Sequence, residues 1–294
     1  MDNNIIVIVG PTGVGKTKVS VQLAKKLNGE IINADSMQVY KRLDIGTAKI
    51  KEEEKEGIPH HLFDIANVED MYTIYDYQKD CREIIEDIKK RGKTPIIVGG
   101  SGLYIRAALY DYQFSFEEKK EDFSNLTNDE LLEKCQEIDA NCDIHVNNRK
   151  RLERFLNKSL NKSKIIADSK PIYNYTMIGL TTLRDNLYNI INKRVDEMIE
   201  NGLVKEVKSF YDKKIYSKAI LTGIGYKELY SYFENKIDIE EAIEEIKKNS
   251  RHLAKRQYTF FNNQFKDVKW FYTNYEEINK TIDDIYKFVS DKNM

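Results

Sequence analysis

The chain opens its apolar pattern with Ile5-Ile6-Val7-Ile8-Val9, a run without a polar break. Such a run at strand length predicts a strand covered on both faces. The next apolar positions, Val19, Val21, Leu23, Ala24 and Leu27, fall at near-helical spacing, so the order is strand, glycine loop, helix. Residues 30–35 predict a second short strand, adjacent to the first, delivering Asp35-Ser36-Met37-Gln38 to its end. Ligands gather at that edge of a parallel sheet. Residues 40–59 read as an irregular polar connection containing Asp44-Ile45-Gly46-Thr47-Ala48-Lys49, and His60-His61 as more loop. A helix over 72–91 follows from Ile74, Tyr77, Cys81, Ile84, Ile85 and Ile88, and Gly92 closes it. Residues 94–98 then predict a buried strand that runs into Gly99-Gly100-Ser101-Gly102 and a helix over 103–109. Three strand, turn and helix units predict an α/β fold with a parallel sheet flanked by helices.

The pattern changes at Asp111. From 111 to 174 the chain is polar and lysine-rich, with no strand signature but a helix start at Thr127-Asn128-Asp129-Glu130 and a second helical segment over 148–160. This predicts a small all-helical insertion domain, leaving 1–110 and 175–294 as the catalytic core. Strand character returns at 175–180. Helices follow from Leu187, with Arg194 among apolar neighbours Val195, Met198 and Ile199, then a glycine-bearing loop at 222–228. A long helix over 239–261 carries Arg251, Lys255 and Arg256 beside Tyr258, Phe260 and Phe261, and the last twenty residues predict a closing amphipathic helix.

Composition narrows the classes. The 294 residues hold 47 basic and 48 acidic side chains, a formal charge of −1, so any nucleic-acid partner must be met by a local patch. Three cysteines without a C-x-x-C pair argue against a disulfide framework or a zinc site and fit a reducing cytoplasm. No window approaches the ~20 apolar residues of a membrane span, and no basic leader precedes the first strand, so a cytoplasmic protein without membrane attachment is expected.

The glycine loop Gly10-Pro11-Thr12-Gly13-Val14-Gly15-Lys16-Thr17 is a P-loop between a strand and a helix, and it makes the expected core P-loop NTPase-like. Its backbone N–H groups and the helix start suit a diphosphate or triphosphate, Lys16 adds a charge, and Thr17 a hydroxyl suited to Mg²⁺. The loop is of the ATP-binding type, yet residues 94–98 end in Gly99-Gly100 where a Walker B Asp would hold metal. Asp35 is a candidate for metal-bound water or for proton abstraction, or else a turn residue. Asn235-Lys236-Ile237-Asp238 resembles a guanine signature, but a helix stop and the next N-cap explain it better. Arg194 reads as a surface arginine unless its helix returns to the sheet edge. Two basic stretches, 145–164 with Arg149, Lys150, Arg151, Arg154, Lys158, Lys162 and Lys164, and 251–269, suggest RNA phosphate contact with base stacking.

These blocks in series, GPTGVGKT, INADSMQVY over 32–40, DIGTAK over 44–49, VGGSGLY over 98–104, IGYKE over 224–228 and AKRQ over 254–257, resemble the bacterial tRNA dimethylallyltransferases over nearly the whole chain. The resemblance implies transfer of a dimethylallyl group from dimethylallyl diphosphate to the exocyclic amine of the adenine 3′ of the anticodon. It implies that the P-loop holds the donor's diphosphate, that Asp35 accepts the amine proton, and that Lys16, with Mg²⁺ near Thr17, stabilises the departing diphosphate while Arg194 holds it. It further implies tRNA contacts at Asp35, Ser36, Met37, Gln38, Gly100, Ser101, Arg149, Lys150, Arg151, Arg154, Gly223, Gly225, Tyr226, Lys227, Arg251, Lys255 and Arg256, with the insertion gripping the anticodon stem. A monomer is expected. The chain departs from the family pattern at Ile190, where an arginine is usual, at Thr222 for glutamine, and at Phe260 for tryptophan. A transferase acting on free AMP and a P-loop small-molecule kinase are the alternatives.

Overall fold

The computed structural model of the chain describes residues 4–112, 121–160, 170–274 and 277–292. The chain divides into two compact units, Met1–Tyr110 with Pro171–Met294, and Asp111–Lys170. The first unit holds strands β1 (Ile5–Val9), β2 (Gly29–Asn33), β3 (His60–His61), β4 (Thr94–Gly99), β5 (Tyr175–Thr181) and β6 (Lys269–Tyr272). They form one sheet in the order β3-β2-β4-β1-β5-β6, parallel throughout. Its helices are α1 (Lys16–Lys26), α2 (Ile74–Lys90) and α3 (Gly102–Leu109), then α6 (Arg184–Glu200), α7 (Leu203–Tyr211), α8 (Lys218–Thr222), α9 (Tyr226–Phe233), α10 (Ile239–Gln264) and α11 (Ile278–Lys292). Helices α4 (Asn128–Ile138) and α5 (Arg149–Leu160) belong to the second unit.

β1 lies between β4 and β5, with Val9 opposite both Gly99 and Gly179, and all its residues are buried. Coverage on both faces is why its sequence never alternates. Ile5, Val7 and Val9 enter one core with Ile32, Ile97 and Met177, closed over by residues of α2, α3, α7, α9 and α10. Ile6 and Ile8 enter the other, with Ile31, Ile96 and Ile178 under α1 and α11. Each such side chain contributes roughly 1.5–3 kcal/mol on burial, so the sheet centre is a rigid base for the loops at its rim.

Four features differ from the sequence expectations. β4 sits between β2 and β1, so the strand carrying Asp35 at its end is one place removed from the P-loop strand. His60-His61 is a short edge strand, because His61 Nε2 meets the buried Glu30 carboxylate at 2.8 Å. β6 closes the other edge, beginning at the last residue of the basic stretch 251–269, where no strand is expected. Tyr226, Lys227 and Glu228 begin α9, where Glu228 accepts from the Gly225 N–H at 2.8 Å and so caps the helix. Asn235 takes a φ of 57° and Asp238 caps α10 by accepting from Glu241 N, which accounts for the guanine-like tetrapeptide.

In the second unit, Thr127 and Glu130 form a reciprocal cap on α4, and Leu131, Cys135, Ile144, Leu152 and Leu156 pack between α4 and α5. Lys162 and Lys164 lie outside the described residues.

Candidate active site

Every parallel strand ends on the same side, so the segments after β1, β2, β4, β5 and β6 meet along one rim. There they line a cleft of ≈ 1910 Å³ that reaches Lys16, Asp35, Ser101, Arg194 and Lys227. Sites for single small ligands run to roughly 1,000 Å³, so this cleft has room for two substrates side by side.

The P-loop forms its floor. Gly10 takes a φ of +142°, and a Cβ there would stand 2.4 Å from the Leu180 carbonyl oxygen, so only glycine lets the loop leave β1 this close to β5. Pro11 and Val14 are buried beneath the loop, while Thr12, Gly13, Gly15, Lys16 and Thr17 face the cleft. Helix α1 starts after Gly15 with no acidic residue in its first turn, leaving its positive dipole end for an anion. Lys16 Nζ donates to the Gly10 and Pro11 carbonyls at 3.0 and 2.7 Å. Burial pushes the Lys16 ammonium down to about 8; the Asp35 carboxylate pulls it up and Arg194 lowers it further. Arg194 reaches the cradle because α6 follows β5 and crosses the rim, where Nη1 donates to Thr12 Oγ1 at 3.0 Å. The surface-arginine reading is thereby set aside. One turn earlier, Ile190 lies against Gly13, bringing an apolar side chain where the resemblance leads one to expect a second cation.

Asp35 faces the cradle from the end of β2. One carboxylate oxygen, Oδ1, accepts from Met37 N at 2.9 Å, so the residue is a turn former as well as a cleft residue. The buried Asn33 fixes its backbone, accepting from Asp35 N at 2.9 Å and donating to Asp35 O at 3.1 Å and Leu62 O at 3.0 Å. Ser101 Oγ accepts from Ser36 N at 2.9 Å and donates to Ser36 Oγ at 3.2 Å, which ties the turn after β2 to the one after β4. Gln38 Nε2 donates to Thr47 O at 2.9 Å and so joins the 44–49 loop to the same wall.

Three residues at this site are given no role by the sequence. Gln257, on α10, accepts from Thr12 N at 2.9 Å and crowds Gly100, where a Cβ would lie 2.1 Å from its Nε2. Its only trace is the AKRQ block. Asn33 and Glu206 read as ordinary strand and helix residues.

Of the residues expected to touch RNA, Asp35, Ser36, Met37, Gln38, Gly100, Ser101, Gly223, Gly225, Lys227 and Arg256 line the cleft. Tyr226 also borders the cleft, with its side chain fully buried and its hydroxyl on Glu206. Arg251 turns away to Asn192 Oδ1 at 2.6 Å, and Lys255 is exposed on α10 in a shallow groove shared with Arg256. In the second unit Arg149 is a staple: its guanidinium donates to the carbonyls of Leu126 and Phe123, both at 2.7 Å. Lys150, Arg151 and Arg154 stay exposed. Of the departures, Phe260 packs on Gly102, and Thr222 donates back to Lys218 O at 2.7 Å.

Among the described residues no three His, Cys, Asp or Glu side chains converge as a metal site. The exposed Thr17 hydroxyl beside the cradle is an oxygen donor of the type that suits Mg²⁺.

The family described as IPP transferase matches residues 38–264. A tRNA dimethylallyltransferase of Anoxybacillus flavithermus is 48% identical over 283 residues, 92% of this chain and 91% of the relative. One from Geobacillus thermodenitrificans is 44% identical over 99% of this chain and 98% of its own length. Among solved structures, a tRNA isopentenylpyrophosphate transferase from Bacillus halodurans is 41% identical with a TM-score of 0.78, covering 99% of this chain and 97% of that one. A eukaryotic dimethylallyltransferase acting on tRNA gives 0.80 at 28% identity, over 99% of this chain and 80% of its own.

Proposed function

The chain belongs to the IPP transferase family, the tRNA dimethylallyltransferases, and on that premise we propose how its cleft divides the work. The enzyme moves a dimethylallyl group from dimethylallyl diphosphate to the N6 amine of the adenine 3′-adjacent to the anticodon in tRNA, and diphosphate leaves. The observation that best supports this reading is the meeting of an anion cradle and a carboxylate across one cleft.

The loop N–H groups and the α1 N-terminus hold the donor's diphosphate, with Lys16 and Arg194 on its oxygens. As the allylic C–O bond breaks, those two cations take up the charge left on the departing group; fixed donors of this kind are worth roughly 100- to 1,000-fold each. Mg²⁺, when bound beside Thr17, adds positive charge at the same oxygens. The adenine amine forms the new C–N bond and gives its proton to the Asp35 carboxylate, a base step worth roughly 100- to 10,000-fold. A stacked adenine cannot reach the donor, so the base is extruded into the cleft between the 35–38 and 223–227 segments. Lys227 and Arg256 at the rim suit its flanking phosphates, and Lys150, Arg151 and Arg154 the anticodon stem. No described helix is long and apolar enough to cross a membrane, and the substrate makes the cytoplasm the place of action.

Incubating the protein with labelled dimethylallyl diphosphate, Mg²⁺ and unmodified tRNA, AMP or ATP tests the reading. Label is expected in tRNA and absent from AMP. Label entering AMP alone, or ATP consumed with no prenyl transfer, contradicts it.

A further inference from the structure

We propose that Glu206 and Tyr226 are positioning residues that hold the acceptor side of the cleft in register, an inference that rests on the prenyl-transfer reading. Glu206 stands on α7, outside the motifs that mark the site, and its two oxygens take four donors. Oε2 accepts from the N–H groups of Asp44 at 3.2 Å and Ile45 at 2.8 Å. Oε1 accepts from Gly46 N at 3.2 Å and from the Tyr226 hydroxyl at 2.6 Å. A carboxylate that receives this many bonds from another segment sets where that segment lies.

The Tyr226 ring completes the clamp. It is wholly buried, and a Cβ on Gly46 would stand 2.7–2.8 Å from its ring and hydroxyl, so residue 46 is glycine to let the loop settle on the tyrosine. Burial and the Glu206 charge both drive the phenol well above its ordinary titration range, so it remains a donor. From this anchor the 44–48 loop passes to Ala48, whose φ of 46° is costly for a residue with a side chain. The Thr47 carbonyl next to it receives Gln38 Nε2. Gln38 ends the turn that begins at Asp35, and Gly223, three residues before Tyr226, meets Met37 in that same turn: a Cβ there would stand 2.8 Å from Met37 Cε. One carboxylate therefore links the 35–38, 44–48 and 223–226 walls. It touches neither the P-loop nor Arg194, and misplacing the base side leaves the cradle intact.

Two variants and three readouts test this. Glu206→Gln keeps the shape but turns an amide N–H toward backbone donors, and Tyr226→Phe removes one donor while keeping the ring over Gly46. With donor saturating, kcat/KM for tRNA is expected to fall about 10- to 100-fold in the first, as misaligned reactants do, and about 3- to 10-fold in the second. Binding of inorganic diphosphate with Mg²⁺, read by calorimetry, is expected to stay within about twofold of the parent. Thermal melting, the third readout, reports folding independently. Unchanged tRNA kinetics in the two variants, or diphosphate binding lost in step with tRNA kinetics, overturns the inference. Should Glu206→Gln fail to fold, Tyr226→Phe carries the same comparison. The unaltered protein runs beside them, and its failure to prenylate tRNA would overturn the reading itself.

Discussion

Lys16 is the residue whose titration reports on the cradle. Its ammonium is pushed down to about 8 by burial, against an ordinary 10.5. The charged form, which holds diphosphate on the proposed reading, dominates below pH 8 and is lost as pH rises through that value. The pH profile of kcat/KM for the donor, which reports the free enzyme, is expected to break downward near pH 8. A profile flat to pH 10 would show that Lys16 does not carry donor binding. Lys16, Thr17 and Asp35 were legible in the sequence because a P-loop and a strand-end carboxylate are local patterns. Arg194 was legible only through the family resemblance, since its value depends on α6 crossing back over the rim. Glu206 was not legible at all, and Gln257 only as the last letter of the AKRQ block: each looks like a solvent-facing helix residue until a distant loop is laid against it.

Among the elements, β2 gathers the charges that hold one edge of the sheet. Glu30, 1% exposed, receives Arg91 through both Nη atoms, Lys93 Nζ at 2.6 Å and His61 Nε2 at 2.8 Å. The Arg91 hydrogen bonds hold its carboxyl far below the ordinary 4.5, and Lys93 and His61 add to them against the opposing effect of burial. A carboxyl held low in the folded state stabilises above pH 4.5, and that stability is lost as pH falls from there through the folded value. Glu30→Gln is therefore expected to destabilise by about 2 kcal/mol at pH 7, less than a fully buried pair because Arg91 and Lys93 remain partly in water. Denaturant melts should show the gap from the parent shrinking below about pH 4.5; a gap independent of pH would contradict the charge argument. This cluster also explains the unforeseen β3. Two residues carry no periodicity, and His60-His61 becomes a strand because β2 and Glu30 receive it. β6, four residues long, escapes for the same reason, whereas β1, β4 and the long α2 announce themselves through uninterrupted or 3.6-residue apolar patterns. The order of the strands is a tertiary choice, which is how β4 comes between two strands that follow one another closely in sequence.

For the molecule as a whole, a formal charge of −1 hides exposed basic residues in each of the two units. Lys150, Arg151 and Arg154 are exposed in the second unit, and Lys255 and Arg256 on α10 in the first. tRNA affinity is expected to fall steeply with salt, and Arg151→Ala to lower the log–log slope by about 1 while weakening all tRNAs alike. A salt response no steeper than that of a neutral protein would remove the basic patches from recognition. At this scale the chain's class and the change of character at Asp111 could be read from composition and pattern. Which basic side chains the fold itself engages could not, because Arg149 and Arg251 differ from their neighbours only in the carbonyl and amide groups that the fold brings to them.

Where the transferred group goes and what receives the proton decide the assignment of the cleft. After a single turnover with labelled dimethylallyl diphosphate, the tRNA is digested to nucleosides and the label located, with the parent protein and with Asp35→Asn, which keeps the oxygen that accepts from Met37 N. The parent is expected to place the label on N6 of the adenine 3′ of the anticodon with one diphosphate released. The Asn variant is expected to bind diphosphate normally and to transfer at least ~100-fold more slowly. Label on another position, or an Asn variant as fast as its parent, would contradict the assignment of this cleft.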